Sequence, residues 1–85
     1  MIIITTKSFD KQYAKLSIKN KLRFKERLTV FIDSPFDVTL RNHALKGRYL
    51  GYRSINITGD IRALYTVKNN TIVILSFIGS HSQLY

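Results

Sequence analysis

The fold is decided by residues 52–78, which read YRSINITGDIRALYTVKNNTIVILSFI. This stretch holds three runs rich in β-branched and aromatic residues, the composition that is typical of strands. The three predicted strands are Tyr52–Ile57, Ile61–Val67 and Thr71–Ile78. Asn69 and Asn70 separate the last two, and asparagine tolerates the positive φ angles of a tight type I′ hairpin. The unbroken apolar character of the third run predicts a central strand that is covered on both faces.

Hydrophobic patterning also predicts the register of the first hairpin. If residues 58–60 form the loop, all the apolar side chains of the two strands share one face of the sheet. The pairs on that face are then Ile57 with Ile61 and Ile55 with Ala63. The opposite face carries Asn56 across from Arg62, with Asp60 at the rim. A two-residue loop would instead mix isoleucines with charged side chains, so we prefer the longer loop.

The N-terminal third predicts a strand followed by two helices. Met1–Thr5 is β-branched and apolar, and Ser8 is a suitable cap for a first helix whose apolar residues recur at helical spacing. A second helix is predicted over residues 18–33, and Ser34-Pro35 ends it, because the residue before a proline is forced out of the helical region. We therefore predict an α+β fold in β-α-α-β-β-β order. It consists of a small twisted antiparallel sheet with both helices packed on one face, in a single domain over residues 1–85.

Composition excludes several classes of protein. The chain has no cysteine, so it forms neither disulfides nor thiolate metal sites. The longest apolar run, Ile72–Leu75, is far shorter than the ~20 residues of a membrane span, and the N-terminus lacks the basic leader of a signal peptide. We therefore expect a soluble, cytoplasmic protein that does not contact membranes.

The charge balance points to a polyanionic partner. Lys and Arg number 14 against five Asp and Glu, a net charge of +9. Eight of the basic residues lie between Lys7 and Arg27, with two acidic ones among them. Two interpretations stay open for this stretch: a solvated helical surface, or a surface that docks a polyanion.

Polar residues suited to RNA cleavage collect on the predicted outer face of the sheet and in the loop over residues 36–48. The face carries Asn56, Asp60, Arg62 and, if Gly79 does not bend the chain away, His81. The loop supplies His43, Lys46 and Arg48. RNA cleavage requires a base for the 2′-hydroxyl proton, an acid for the departing 5′-oxygen and cations for the phosphorane. Histidine titrates near neutral pH, so two histidines suit the base and acid roles, and no metal or cofactor is needed. Each of these residues also has an ordinary structural interpretation, as a turn residue, a packing histidine or a surface ion pair.

Three stretches carry a resemblance to a known family. They are HALKGRYLGYRSI (43–55), TGDIRALY (58–65) and GSHSQLY (79–85). Together they resemble the RelE/ParE toxin superfamily, and most closely its YafQ-like branch. The resemblance covers the whole chain in length and element order.

The resemblance implies a ribosome-dependent mRNA endoribonuclease, the toxin of a type II toxin–antitoxin pair. It also implies an acidic antitoxin that wraps the toxin, and operator DNA binding only through the toxin–antitoxin complex. His43, Asp60 and His81 match the catalytic residues of the branch, and Tyr85 matches its C-terminal aromatic residue. Arg62 matches the arginine of RelE proper. We further expect Lys46, Arg48, Arg53, Asn56 and Tyr85 to contact RNA.

One position departs from the branch and two alternatives stay open. Where YafQ itself has a further histidine, this chain has Asn56, which hydrogen-bonds but does not titrate near neutrality. The assignment of acid and base therefore stays open: His81 is the expected acid, and Asp60 or His43 the base or its orienting group.

The first alternative function is a ParE-like toxin that inhibits DNA gyrase without nuclease activity. The second is a degenerate domain that acts only as a repressor together with its antitoxin.

Overall fold

The computed structural model describes all 85 residues as a five-stranded sheet with three helices. The strands are β1 (Ile2–Thr5), β2 (His43–Ala44), β3 (Arg53–Asn56), β4 (Ile61–Lys68) and β5 (Ile72–Ser80). The helices are α1 (Lys7–Ala14), α2 (Ile18–Asp33) and α3 (His81–Leu84). Two short 3₁₀ turns, Val38–Leu40 and Gly47–Tyr49, lie on either side of β2. The predicted α+β class is confirmed, and the six predicted elements appear in the expected order as β1, α1, α2, β3, β4 and β5, while β2 and α3 were not predicted.

The sheet is mixed, which corrects the expectation of a wholly antiparallel one. Its strand order is β1-β5-β4-β3-β2, and β1 runs parallel to β5, with Ile2 beside Ile72 and Thr5 beside Leu75. The helices α1 and α2 carry the chain back after β1, and a crossover of this kind is what parallel pairing requires. As predicted, β5 is an internal strand on which every residue is buried or half-buried.

Both predicted hairpins form. Ile55 pairs with Ala63 and Asn56 with Arg62, the register expected from a loop over residues 58–60. Asn69 and Asn70 have φ angles of 55° and 59°, as a type I′ turn demands. The outer face of β3 and β4 therefore carries Asn56 and Arg62, while the isoleucines face the helices.

The core lies between the two long helices and the inner face of the sheet. Phe9, Phe24 and Phe31 are buried against the strand residues, and the Phe31 ring meets that of Tyr65 edge-on with centroids 5.0 Å apart. Full burial of such a side chain stabilises the fold by roughly 1.5–3 kcal/mol. The two helices thus pack on one face of the sheet, as predicted, and leave the other face for a site.

The helix ends show one further correction. The sequence predicts Ser8 as the cap of α1, but Thr6 occupies that position, and its hydroxyl accepts a hydrogen bond from the Phe9 amide. The bounds of α2 agree with the prediction, and Ser17 caps it.

The segment over residues 36–48, predicted as a loop, also contains β2, which is too short to show a period in the sequence. None of the helices combines the length and the apolar character needed to cross a membrane.

Candidate functional site

A polar cleft of about 930 Å³ opens on the outer face of the sheet. Strands β2, β3 and β4, the β3–β4 loop and the C-terminus supply its walls. The residues that line it are Arg41, Asn42, His43, Leu45, Ser54, Asn56, Gly59, Arg62, His81 and Tyr85. Two imidazoles, two guanidinium groups and a tyrosine therefore share one cleft, and no Asp or Glu side chain lines it.

β2 and the turn before it fix the ring of His43. His43 lies across from Ser54 in the β2–β3 ladder, and its Nδ1 lies 2.8 Å from the carbonyl oxygen of Arg41. Arg41 has a φ of 46°, in the left-handed region that non-glycine residues seldom adopt, and this places its carbonyl against the ring. Because a carbonyl oxygen only accepts, Nδ1 is the donor, and Nε2 of the neutral ring keeps its lone pair. His43 is thus prepared to accept a proton at Nε2.

The Arg62 side chain forms hydrogen bonds to the β3–β4 loop. Its Nη1 donates to the carbonyl oxygens of Thr58 and Gly59, both at 3.1 Å. The Nε and Nη2 groups of the same guanidinium form no hydrogen bond within the protein. The side chain does not pair with Asp60, since the chain's one salt bridge joins Arg23 and Glu26. Arg62 therefore holds the loop with one nitrogen and retains donors for an anion in the cleft.

The short helix α3 carries His81 to the cleft. Ser80 caps it with a capping box, in which its hydroxyl accepts from the Gln83 amide and the Gln83 side chain accepts from the Ser80 amide. The His81 amide donates to the carbonyl oxygen of Asp60, which ties the helix to the β3–β4 loop. The rings of His81 and Tyr85 lie 4.8 Å apart, centroid to centroid. The two side chains therefore form one unit at the edge of the cleft.

A clamp from the Gly47–Tyr49 turn secures the other end of α3. The Tyr49 hydroxyl and a guanidinium nitrogen of Arg48 both donate to the carbonyl oxygen of Leu84, at 2.7 and 2.9 Å. The ring of Tyr49 also meets that of Tyr85 edge-on, with centroids 5.7 Å apart. We call Arg48, Tyr49 and the Leu84 carbonyl the α3 clamp. It fixes the position of the two aromatic side chains that α3 and the C-terminus present to the cleft.

Comparison with known proteins agrees with this architecture. The family model for YafQ, described as a bacterial toxin of a type II toxin–antitoxin system, matches residues 1–85. The chain belongs to the YafQ toxin family. The predicted resemblance is therefore confirmed, and the chain is a toxin of the type II class.

Solved structures place the YafQ-family chain among related toxins. A copper-bound mutant toxin from Helicobacter pylori is 32% identical, with a TM-score of 0.80 over 100% of this chain and 99% of that one. YafQ from E. coli BL21(DE3) has the same fold at 22% identity, with a TM-score of 0.80 over 98% and 96% of the two chains. The toxin fold also matches the E. coli DinJ–YafQ toxin–antitoxin complex, at 22% identity and a TM-score of 0.75 over 98% and 94%. No curated protein matches the chain.

The structure brings together five of the residues singled out in the sequence of this YafQ-family toxin. They are His43, Asn56, Arg62, His81 and Tyr85. Asp60 is exposed at the loop beside the cleft, and it contributes to the order of the site through its backbone, whose carbonyl accepts from the His81 amide. Its carboxylate lies outside the cleft lining.

The remaining predicted contacts of the toxin lie elsewhere. Lys46 is exposed before the Gly47–Tyr49 turn, and Arg48 is engaged in the α3 clamp. Arg53 donates to the side-chain oxygen of Asn42 and lies over the ring of Phe36, on the helix-facing side of β3. Arg53 is therefore directed away from the cleft.

Sequence reasoning missed several residues that shape the toxin's cleft. Ser54 is fully buried in its wall, and its hydroxyl has no hydrogen-bond partner. Tyr49 carries no signal of its own, because its contact with Leu84 spans 35 positions. Helix α3 had a signal in the sequence: Ser80 followed three residues later by Gln83 is the spacing of a capping box.

No three His, Cys, Asp or Glu side chains lie close enough together to hold a metal ion.

Proposed function

We propose that this toxin is a ribosome-dependent mRNA endoribonuclease that cleaves through attack of a 2′-hydroxyl on the adjacent phosphate, without a metal ion. The observation that carries the proposal is the convergence of His43, His81 and Arg62 on one cleft that no Asp or Glu side chain lines. Such a set supplies a base, an acid and a fixed positive charge, which are the groups that this reaction requires. The YafQ family supports the same conclusion.

His43 is the base in this mechanism. Its Nδ1 donates to the Arg41 carbonyl, so the Nε2 lone pair is directed away from that bond and takes the 2′-hydroxyl proton. The oxygen then attacks phosphorus, and the negative charge that develops on the phosphorane meets the unengaged nitrogens of Arg62. Asn56 donates from its amide to the same phosphate oxygens. Asp60 positions α3 through its backbone carbonyl and stands at the rim of the cleft.

His81 is the acid. In its protonated form it donates to the 5′-oxygen as the bond to phosphorus breaks, which leaves a 2′,3′-cyclic phosphate and a free 5′-hydroxyl. Tyr85, 46% exposed beside it, stacks on a base next to the cut. Base–aromatic stacking contributes about 1–3 kcal/mol per base in single-stranded recognition. Lys46 lies at the outer edge and contacts a phosphate further along the strand.

The partners follow from the charge and the family. A net charge of +9 favours ribosomal RNA and mRNA, and it equally favours an acidic antitoxin that wraps the toxin. The E. coli relative assembles with DinJ, which supports a cognate antitoxin for this chain. Binding to operator DNA belongs to that complex and not to the toxin alone.

The deciding experiment is mRNA cleavage in a purified translation system. The wild type, His81→Ala and a matched control, Ser82→Ala, are compared with and without ribosomes. We expect cleavage only with ribosomes, a loss of about a hundredfold to ten-thousandfold in His81→Ala, and little change in Ser82→Ala. No cleavage by folded wild-type protein would refute the nuclease and favour gyrase inhibition. Equal cleavage by His81→Ala would remove the acid role from His81.

A further inference from the structure

A second, smaller recess of about 160 Å³ adjoins the cleft. It lies between α2, the Val38–Leu40 turn and the β3–β4 loop. The polar residues that line it are Arg23, Arg27, Thr39, Asn56, Thr58 and Gly59. Asn56 and Gly59 also line the cleft, so the two cavities share a wall. A chain molecule that occupies the cleft can therefore continue into the recess.

The guanidinium groups of the recess are largely unpaired. Arg23 and Arg27 are one helical turn apart, so both lie on the same face of α2. Arg27 forms no hydrogen bond or salt bridge. Arg23 has only Glu26 as a partner, at 3.5 Å between exposed side chains, a contact that contributes little. No Asp or Glu side chain lines the recess itself, although Glu26 lies beside Arg23 and Asp37 lies near Arg27.

The polar groups around the recess include one carboxylate that is already engaged and one hydroxyl that is free to donate. The nearby Asp37 carboxylate is engaged by Thr39, whose hydroxyl and amide both donate to it. These bonds, and to a lesser degree the charge of Arg27, lower the pKa of Asp37. The Thr58 hydroxyl accepts from the amides of Asp60 and Ile61, so its own hydrogen is available to donate. Arg62 holds this loop from the cleft side.

We infer that the recess binds a phosphate of the cleaved RNA strand adjacent to the scissile one. The inference rests on the proposed function and extends the cleft along the strand. Arginine presents a planar fork of donors that matches a phosphate in two-point contact, and two such forks here face one small cavity. Arg23 and Arg27 are thus positioning residues that set the register of the strand over His43 and His81.

The test is binding of a short RNA made uncleavable by 2′-O-methyl riboses. Arg23→Gln/Arg27→Gln is compared with Lys19→Gln/Lys25→Gln, which removes the same charge from exposed positions of α2 outside the recess. We expect the arginine pair to bind roughly tenfold more weakly than wild type. Its plot of log K against log salt should be shallower by about 0.7, the value for one phosphate of a single strand. The lysine pair should lose less RNA affinity than the arginine pair.

Neutral methylphosphonate linkages, placed one at a time, then locate the phosphate. At one linkage, the methylphosphonate should weaken the binding of the RNA to the wild type and cause no further loss in the arginine pair. This linkage is the coupled position. Equal losses in both variant pairs, no coupled position, or no RNA binding by wild type would each overturn the inference. If a coupled position is found but the toxin cuts no mRNA on ribosomes, the proposed nuclease activity is refuted and phosphate binding in the recess is retained. The two results can be told apart because binding is measured without cleavage.

Discussion

At the scale of single residues, the cleft is organised by backbone carbonyl groups. The Arg41 carbonyl orients His43, the Asp60 carbonyl receives the His81 amide, and the Thr58 carbonyl accepts from Arg62. Carbonyl groups do not titrate and are fixed by the fold, so they hold these cleft side chains without competing for protons.

The choice of base is tested by a pair of conservative substitutions. His43→Gln removes the proton acceptor and should lower single-turnover cleavage on programmed ribosomes by about a hundredfold to ten-thousandfold. Asp60→Asn leaves the carbonyl bond to His81 in place, so we expect a clearly smaller loss. Lys68→Gln, in the distant β4–β5 hairpin, serves as the control. A larger loss in Asp60→Asn than in His43→Gln would transfer the base role to the carboxylate.

At the scale of elements, the cleft depends on a helix of only four residues. Such a helix is too short to be stable alone, so its position depends on the capping box at one end and the α3 clamp at the other. The Val38–Leu40 turn is a similar short element, capped by the Asp37 side chain ahead of β2. Helix α3 carries His81 and the Val38–Leu40 turn leads into β2 with His43, yet neither element has a hydrophobic period in the sequence.

Loss of the α3 clamp should lower cleavage more than it lowers RNA affinity. Tyr49→Phe removes one of the two bonds to the Leu84 carbonyl, and Arg48→Gln weakens the other. We expect the double variant to lose about 1–2 kcal/mol in free energy of unfolding and at least tenfold in cleavage rate, because α3 shifts. Tyr52→Phe, whose hydroxyl makes no hydrogen bond, is the matched control. A defect seen in RNA affinity alone would show that Arg48 contacts phosphate instead.

The Asp37 cap should contribute stability in a pH-dependent way. The pKa of Asp37 is lowered by hydrogen bonds from the Thr39 hydroxyl and amide, so its charged form is favoured in the folded protein. Its contribution is therefore present above the pKa of the unfolded chain and is lost as pH falls through the lower folded value. Asp37→Ala should lower Tm at neutral pH, and the difference from wild type should shrink in acid. A pH-independent difference in Tm would argue against the charged cap.

At the scale of the whole molecule, the N-terminus completes the sheet. β1 pairs in parallel with β5, whose residues lie about 70 positions later, and without β1 the strand β5 becomes an edge. Ile3 packs against the core from β1, whereas Ile2 is 58% exposed. The same strand thus presents one structural and one solvent-facing isoleucine in succession.

These neighbouring isoleucines provide a matched pair for denaturant unfolding. We expect Ile3→Ala to lower the free energy of unfolding by about 1–3 kcal/mol, because it leaves a gap beside the core. Ile2→Ala should change it by less than about 0.5 kcal/mol. Equal effects from the two substitutions would mean that β1 does not pack with this face inward.

Periodicity and turn chemistry made several features of the fold predictable from the amino-acid sequence. It predicted the bounds of α2, the register over residues 58–60, the Asn69-Asn70 turn, and the shared face of Asn56 and Arg62. The motifs between His43 and Tyr85 added the family. These features are local, because each rests on residues that are neighbours in the chain or across one hairpin.

Contacts between distant parts of the chain became visible only in the folded protein. The parallel pairing of β1 with β5 and the contacts of His43 with Arg41 and Tyr49 with Leu84 all depend on where the backbone lies in space. The same holds for the position of Asp60 beside the cleft and of Arg53 behind it. A hydrophobic pattern records which face of an element is buried, but it does not record which carbonyl oxygen a side chain will reach. The cleft is built from such contacts, and so its geometry emerged only with the fold.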